Sequence, residues 1–322
     1  RAVLHGVDCA LGGGMQMRRA VDGRRHMACR VLFLLATGYW LLATEAHARK
    51  RIAHSFARNT IYFQNGAESG DLTPWDSTTA GQCSSPPQGS IAASTDLPHS
   101  GGYSIKYFYF MDLSGTCGAS HAQGIYATKR FFSGNGYPNG LGEWYSSGYF
   151  RIHINPGGTE VGTTVGRKLN YWIDPADDWH GVVSTALGSH YFSITFDRGG
   201  DLVTFGTGTL RDNVPCPTSL AGTCSSVVYS WVTDTWYYLE SHVKLNTPGA
   251  SDASFEVWVK GEGIDPVPVK ILWGSGFSIR GALTTGLDTI RYGEQTARSA
   301  SEVIDEFRYW DDIVIASGRI GP

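Results

Sequence analysis

Apolar and polar residues alternate most clearly along two neighbouring segments, residues 236–246 and 255–260. Alternation at period two is typical of β-strands that place one face in a core. The predicted core face carries Tyr237, Leu239, Ser241, Val243, Leu245, Phe255, Val257 and Val259. The opposite face carries Trp236, Tyr238, Glu240, His242, Lys244, Asn246, Glu256, Trp258 and Lys260. Aromatic rings interleaved with charged groups are typical of sugar-binding surfaces, because sugar rings stack on aromatics while hydroxyls and carboxylates need polar partners.

The same pattern predicts further strands and almost no helix. The predicted strands are residues 103–110, 148–155, 168–173, 190–197, 202–205, 227–231, 236–246, 255–260, 287–292 and 307–315. Turn residues separate them, for example Asn155-Pro156-Gly157-Gly158 and Thr247-Pro248-Gly249. Each alternating strand needs a second sheet to cover its apolar face. The sequence therefore predicts an all-β fold, a two-sheet antiparallel β jelly roll.

The alternation extends the polar face to other strands. In residues 148–155 the polar positions are Tyr149, Arg151, His153 and Asn155. In residues 168–173 the predicted core positions are Leu169, Tyr171 and Ile173, which leaves Lys168, Asn170 and Trp172 on the polar side. If these strands share a sheet, one surface forms a polysaccharide cleft lined by Arg151, His153, Lys168, Asn170, Trp172, Tyr238, Glu240, His242, Lys244, Glu256 and Trp258. A solvated face is the alternative for any single residue, so the inference rests on the set.

The start of the chain carries a targeting signal. Met27 opens a short basic segment, followed by the apolar run 31–46 and the small-residue site Ala46-His47-Ala48, the layout of a secretory signal peptide. The run is shorter than the roughly 20 apolar residues of a membrane-spanning helix. The sequence predicts a signal peptide at residues 27–48, a non-functional extension at residues 1–26 and a single domain at residues 49–322. The predicted location is extracellular or periplasmic, with no transmembrane segment after cleavage.

Charge and cysteine content narrow the function further. The formal net charge is −3, and it becomes about −6 without residues 1–48, which contain six Arg and three acidic residues. This balance excludes a nucleic-acid footprint. The predicted domain keeps Cys83, Cys117, Cys216 and Cys224, and an oxidising compartment favours disulfides over a metal cluster. Three pairings are open; Cys83–Cys117 and Cys216–Cys224 are favoured, because the second closes a short loop.

Several motifs resemble one family. They are residues 148–154 (GYFRIHI), 166–171 (GRKLNY), 236–249 (WYYLESHVKLNTPG), 255–261 (FEVWVKG) and the ending 309–315 (YWDDIVI). In this order the chain resembles the concanavalin A-like lectin/glucanase superfamily, most closely its secreted polysaccharide lyase-like branch. The resemblance implies a concanavalin A-like sandwich and a polysaccharide ligand. The chain lacks the Glu-x-Asp-x-x-Glu of laminarinase-like hydrolases and the Gln-Ile-His strand of related alginate lyases, although Arg151-Ile152-His153 has a similar setting.

Cleavage of a uronic-acid polymer by β-elimination requires three groups. A cation or amide neutralises the carboxylate, a base removes the proton beside it, and an acid protonates the leaving oxygen. The predicted cleft offers Arg151, Lys168 or Asn170 for the carboxylate, His153 or His242 as base, and Tyr238 as acid. His242 and Tyr238 are favoured because they share one strand face. The main hypothesis is a secreted polysaccharide lyase that acts in a concave groove.

Other functions remain open alternatives. The predicted substrate contacts are Trp172, Trp179, Glu240, Lys244, Glu256 and Trp258, with Trp179 on an acidic loop at the groove rim. A non-catalytic carbohydrate-binding module uses Trp172, Tyr238 and Trp258 as stacking platforms. A glycoside hydrolase uses Glu240 and Glu256 as its carboxylate pair. A structural subunit that assembles through sheet edges is the third alternative. The predicted partner is an extracellular polysaccharide, and the sequence does not indicate the oligomeric state.

A structural calcium ion is predicted by a further resemblance. Residues 65–72 (NGAESGDL) and the pair Asp311-Asp312 are similar to the opening and closing segments of secreted carbohydrate-binding jelly rolls that hold calcium at the sheet edge. This resemblance implies Glu68, Asp71 and Asp312 as oxygen ligands of a hard cation. The alternative is a turn with surface carboxylates. No organic cofactor is predicted.

Overall fold

β-strands dominate the computed structural model, which describes residues 59–80, 89–111, 122–131, 136–158, 166–176, 178–186, 191–198, 203–206, 222–293, 295–297 and 303–322. Asn59–Pro322 form one compact unit. No helix in the described part of the chain is long and apolar enough to cross a membrane. The predicted extension 1–26, the signal peptide 27–48 and Cys83, Cys117 and Cys216 lie outside the described residues. The signal peptide and both disulfide pairings therefore stay predictions.

Eighteen strands and no helix lie within the described residues. The first nine are β1 (Ile61–Asn65), β2 (Ser77–Thr79), β3 (Gly89–Ser94), β4 (Ser104–Met111), β5 (Ala122–Gly124), β6 (Tyr126–Arg130), β7 (Glu143–Ile154), β8 (Gly166–Ile173) and β9 (Trp179–Ala186). The others are β10 (Tyr191–Arg198), β11 (Val203–Gly206), β12 (Thr223–Ser226), β13 (Tyr237–Lys244), β14 (Ala253–Gly261), β15 (Val269–Phe277), β16 (Thr289–Tyr292), β17 (Gln295–Ala297) and β18 (Ile304–Ala316).

The strands form two antiparallel sheets of nine strands each. Sheet A has the order β12-β15-β14-β13-β7-β18-β4-β3, and β1 pairs with β18. Sheet B has the order β11-β10-β9-β8-β16-β6-β2, and β17 pairs with β5 and β8. Apolar side chains from both sheets meet in one large core cluster. The predicted two-sheet antiparallel jelly roll is confirmed.

The predicted core faces of β13 and β14 are confirmed by the core cluster, which contains their apolar residues. Leu239, Val243, Phe255, Val257 and Val259 are fully buried in the core between the sheets. The predicted turn that follows residue 246 is also present, since the Ala250 N–H donates to the Thr247 carbonyl at 2.8 Å and Gly249 has a φ of 80°. The even-numbered residues of β13 therefore lie on the face of sheet A opposite the core.

The prediction for residues 168–173 is wrong in two respects. First, β8 lies in sheet B, so its polar residues do not share a surface with β7 and β13. Second, the pairing of β8 with β9 shifts between Lys168 and Asn170. A bulge opposes two residues to one and reverses the alternation after it. Trp172 therefore packs in the main core, while Tyr171 and Ile173 form a separate small cluster with Val182.

One predicted strand is not formed. Residues 227–231 follow β12 and have no strand geometry. The Val227 N–H still donates to the Ile271 carbonyl at 2.9 Å, after which the chain leaves the sheet edge. Tyr229 and Trp231 reach the core from this irregular segment. These residues are apolar because their side chains are buried. An apolar pattern does not distinguish a buried strand from an irregular segment that packs on the core.

An ion triad lies inside the sandwich and joins the two sheets. Arg167 of β8 donates from Nε to Glu306 Oε2 of β18 at 2.7 Å, and Arg308 Nε donates to Glu306 Oε1 at 2.8 Å. All three residues are almost fully buried. Burial raises the pKa of Glu306, but the charges of Arg167 and Arg308 outweigh it, so this pKa is lowered.

Candidate functional site

The polar residues of β13, β14 and β7 lie together on one surface, the outer face of sheet A, which is the face opposite the core. β13 pairs with β7 on one side and β14 on the other. The register places Tyr238 beside Tyr149, Glu240 beside Trp258, and His242 beside Tyr145 and Glu256, as the pairings of β13 show. The predicted polar face of these strands is therefore one continuous surface.

A chain segment covers the centre of this outer face. Residues 319–321, here called the strap, cross over Glu240. The N–H of Ile320 donates to Glu240 Oε1 at 2.7 Å, and the N–H of Gly321 lies 3.3 Å from Oε2. The Arg319 guanidinium lies 3.7 Å from Glu240 Oε2 and 4.5 Å from the centroid of the Trp258 ring.

Three predicted cleft residues are buried at this centre. Tyr238, Glu240 and Trp258 are 2%, 0% and 4% exposed. The Tyr238 hydroxyl donates to Glu240 Oε2 at 3.1 Å, and burial together with the Glu240 charge raises the pKa of Tyr238. The structure therefore does not expose Tyr238, the predicted acid, or Glu240 and Trp258, two of the predicted substrate contacts. Glu240 is also poorly placed for the carboxylate pair of a glycoside hydrolase, because its two oxygens accept hydrogen bonds from the N–H groups of Ile320 and Gly321.

The His242 side of the outer face is rich in carboxylates. His242 Nε2 lies 2.9 Å from Glu143 Oε1, and its Nδ1 lies 3.5 Å from Glu256 Oε2. Its ring stacks on Tyr145 with a centroid separation of 4.1 Å. Lys270 pairs with Glu256, and Lys244 is exposed at the end of β13. The two carboxylates around His242 make this region unfavourable for an anionic substrate.

A second group of polar side chains lies on the other side of the strap. Arg151 and His153 of β7 both contact the same carboxylate oxygen, Asp234 Oδ1, at 3.0 and 2.8 Å. The side chain of His153 is 39% exposed and that of Arg151 22%. Burial raises the pKa of Asp234, but the hydrogen bonds from His153 and Arg151 outweigh it and lower the pKa. Asp234 has a φ of 62°, a left-handed conformation that is strained for a non-glycine residue.

Tyr149 continues this group along β7. Its ring stacks on His99 at a centroid separation of 3.5 Å, and its pKa is raised by burial and by the charges of Glu262 and Asp312. His99 Nδ1 lies 2.9 Å from Asp312 Oδ2, and Nε2 lies 2.7 Å from Glu262 Oε1. Burial lowers the pKa of His99, but these two hydrogen bonds outweigh it and raise the pKa.

Sequence reasoning gave these neighbours no role. Tyr149 was on the predicted polar face, and the alternation that selected Arg151 and His153 also selects it. His99 precedes β4 and Asp234 precedes β13, both outside strands. No periodic signal marks such residues, because only the tertiary fold brings them to β7.

The remaining predicted cleft residues lie elsewhere. Trp172 and Trp179 are fully buried and pack on Trp144, with ring centroids 5.8 and 6.4 Å from it, so their predicted substrate contacts are wrong. Asn170 is fully buried in β8, and the Lys168 Nζ lies 4.8 Å from the Tyr171 ring in sheet B. Their predicted catalytic roles in a cleft with His242 are wrong because the two strands belong to different sheets.

The predicted calcium ligands are held in hydrogen bonds near one loop. Glu68 Oε2 accepts from the Gly102 N–H at 2.8 Å, and Asp312 Oδ1 accepts from the Ser100 hydroxyl at 2.8 Å. Asp71 accepts from Ser69 and Thr73 within its own turn. The described residues contain no group of three or more His, Cys, Asp or Glu side chains arranged to hold a metal. The calcium site stays a sequence prediction.

Known proteins share the fold of this chain. No protein-family model matches the sequence, and no curated protein matches it. The endo-β-1,4-glucuronan lyase of the fungus Trichoderma reesei matches with a TM-score of 0.53 and 12% identity, over 80% of this chain and 96% of that chain. That structure and this chain share a β jelly-roll fold. The marine PL-14 alginate lyase of Aplysia kurodai is also similar, with a TM-score of 0.48 and 13% identity over 80% and 100% of the two chains. At 12% identity the likeness to the glucuronan lyase shows the fold alone, and function has to be argued from the side chains.

Proposed function

We propose that this protein is a secreted polysaccharide lyase that cleaves a uronic-acid polymer by β-elimination on the outer face of sheet A. The observation that carries the proposal is the line of Tyr149, Arg151 and His153 on one face of β7, beside Asp234. Alternate residues of a strand are about 6.7 Å apart, so Arg151 lies one such step from each of the other two groups. The predicted signal peptide at residues 27–48 supports secretion.

Arg151 is the group that binds the uronate carboxylate. Of the guanidinium nitrogens, Nη2 donates to Asp234, and the side chain as a whole is 22% exposed. A guanidinium with a donor to spare binds a carboxylate through paired charge-assisted hydrogen bonds. Neutralising the carboxylate makes the proton on the adjacent carbon more acidic.

His153 is the base. Its Nδ1 faces Asp234, and the tautomer with a proton on Nδ1 leaves the Nε2 lone pair to accept a proton. This proton comes from the carbon next to the carboxylate, and its electron pair forms a double bond to the following carbon. The bond from that carbon to the glycosidic oxygen breaks.

Tyr149 donates a proton to the leaving oxygen. The phenol carries its proton at neutral pH, as a general acid must before it donates, and burial with the nearby charges raises its pKa further. Tyr149 replaces the predicted acid Tyr238, which is 2% exposed and donates its hydroxyl proton to Glu240. Exposure and local charge also favour His153 over His242 as the base, because His242 is buried and bound by Glu143 and Glu256.

The substrate class proposed is a polyuronate. The similar structures are named as lyases of glucuronan and of alginate. Arg151 supplies the cation that such a polymer needs. The chain has a negative net charge, but a local cation on the binding face determines the interaction with the substrate.

The test is direct. Purified protein lacking residues 1–48 is incubated with a panel of uronate polymers that includes glucuronan and alginate, and new double bonds are followed by ultraviolet absorbance. We expect product from at least one polymer and a loss of about 10²–10⁴-fold in rate for His153→Ala. His180→Ala is the matched control, since His180 also pairs with a carboxylate, Asp197 at 3.6 Å, but in sheet B.

The outcomes separate the functions. Absence of product from every polymer contradicts the lyase. Binding of a polymer without product supports the non-catalytic carbohydrate-binding module instead. Equal losses in the His153→Ala and His180→Ala variants would show that the effect is on stability and not on the chemistry.

A further inference from the structure

Half-buried phenylalanines extend the outer face of sheet A beyond the proposed catalytic residues. Phe307 of β18 is the cross-strand neighbour of both His153 on β7 and Phe108 on β4. The Phe307 and Phe108 rings have centroids 5.0 Å apart, and Phe110 follows at 6.3 Å from Phe108. None of these rings belongs to the core cluster between the sheets. We call Phe108, Phe110 and Phe307 the aromatic platform.

A second cation lies over this platform. The Lys106 Nζ is 4.1 Å from the centroid of the Phe307 ring and pairs with Asp96. Lys106 and Arg151 are both cross-strand neighbours of Tyr309, one on each side of β18. Two strand spacings separate them, roughly 10 Å. A single sugar does not span that distance, whereas a short oligosaccharide does.

The strap restricts where a long ligand lies. On the β13 side of β7, residues 319–321 contact Glu240 of β13 and Trp258 of β14. A chain bound at Arg151 and His153 is therefore blocked in the direction of His242. Toward β4, across the strands, the surface carries half-exposed rings and a lysine. Among the described residues, no segment like the strap covers this part of the face.

We propose that the bound polyuronate crosses β7, β18 and β4, with its sugar rings stacked on Phe307 and Phe108 and a second carboxylate paired with Lys106. This inference rests on the proposed function, since Arg151 and His153 fix the point at which the chain enters the platform. Rings with an alternating cation suit a polymer of sugars that each carry a carboxylate. Because Phe307 is the cross-strand neighbour of His153, the platform adjoins the proposed catalytic residues. This favours the polyuronate over an unrelated protein as the ligand of the platform.

The experiment measures affinity as a function of ligand length. Calorimetry with a ladder of oligouronates, from the disaccharide upward, is performed on Tyr149→Phe protein to slow cleavage. We expect affinity to rise with length until the platform is filled. Phe307→Leu and Phe108→Leu, which keep apolar bulk but remove the flat ring, raise the Kd of long ligands about tenfold and leave the Kd of the shortest ligand within about twofold.

Matched controls separate a specific role from a general one. Lys106→Met is compared with Lys129→Met. Lys129 also pairs with an aspartate and lies 5.1 Å from the centroid of a ring, Phe63, but it belongs to β6 of sheet B. Trp273→Leu is compared with Phe108→Leu, because Trp273 is a half-buried ring of sheet A on β15. Both control variants are expected to bind as the parent does. Thermal melting confirms that each variant is folded.

The result also distinguishes this inference from the lyase proposal. Normal length dependence in Phe307→Leu and Phe108→Leu, in a protein whose wild type cleaves a polymer, overturns the platform and keeps the lyase. Weaker binding of long ligands in these variants, in a protein that releases no product, keeps the platform and overturns the lyase. No binding of any oligouronate overturns both.

Discussion

The hydroxyl of Tyr149 keeps its proton because burial and the nearby charges of Glu262 and Asp312 raise its pKa above the ordinary value of 10.0. We therefore expect Tyr149→Phe to lower kcat on a uronate polymer by about 10²–10⁴-fold, the usual contribution of a general acid. KM changes little, since the ring and its stacking on His99 are retained. Initial rates of double-bond formation give both constants.

The pH profile is the readout that a structural role does not change. Wild-type kcat should fall in alkali above pH 10.0, the ordinary tyrosine pKa, because Tyr149 then loses the proton that it donates. The Tyr149→Phe variant should lack this fall. Tyr145→Phe is the control, because Tyr145 lies on the same face of β7 but stacks on His242. A Tyr149→Phe variant with wild-type kcat would show that another group protonates the leaving oxygen.

Glu306 supplies the only carboxylate of the buried triad with Arg167 and Arg308. Glu306→Gln leaves two buried guanidinium groups without a counter-charge in that triad, and breaking a buried pair in this way costs about 3–5 kcal/mol. Urea unfolding at neutral pH should show this loss. Asp96→Asn, which breaks the half-exposed pair with Lys106, should cost much less.

The pH dependence of this loss has a defined sign. The pKa of Glu306 is lowered in the folded state, below its ordinary value of 4.5, so the folded state binds the proton more weakly than the unfolded state. The stabilisation is complete above pH 4.5 and is lost as the pH falls through the folded-state pKa. The difference between wild type and Glu306→Gln should therefore shrink in acid. A difference that grows in acid would contradict the triad as the cause.

The strap is an element held by backbone donors, so a substitution that removes one donor tests it. Ile320→Pro removes the N–H that donates to the buried Glu240 at 2.7 Å. Leaving a buried acceptor short of a partner costs about 1–3 kcal/mol. We expect weaker stability and more quenching of Trp258 fluorescence by acrylamide. Ile320→Ala keeps the N–H and should behave as wild type; equal quenching in both variants would show that the Glu240 contact does not hold the strap.

Comparison of β13 with β8 shows when alternation predicts the faces of a strand. The pairings of β13 have no shift, so each residue from Tyr237 to Lys244 lies on its predicted face. The shift at Lys168 in β8 turns Trp172 inward, against Gly181 of β9, where an added Cβ would approach the Trp172 ring to 2.7 Å. A bulge leaves no pattern in the local sequence. Packing against the neighbouring strand β9 therefore decides which residues of β8 face the core.

At the scale of the whole molecule, the sequence predicted two sheets but not which strands each sheet contains. β7 and β8 follow one another in the chain and have similar patterns, yet they lie in sheets A and B. Arg151 and His153 therefore kept their predicted surface, while Lys168 and Asn170 did not. The strap escaped prediction for a related reason, since its contacts with Glu240 come from backbone N–H groups that any residue except proline carries.

The charge of the whole molecule leads to a final prediction. The chain has a net charge of −3, so long-range forces repel a polyuronate, while Arg151 attracts it at the site. Salt screens both interactions over about 10 Å at 0.1 M, but the close contact with Arg151 dominates once substrate is bound. KM should therefore rise between low and high salt, and Arg151→Gln should raise KM at low salt and flatten this dependence. A wild-type KM that falls with added salt would show that net repulsion dominates and that Arg151 does not neutralise the carboxylate.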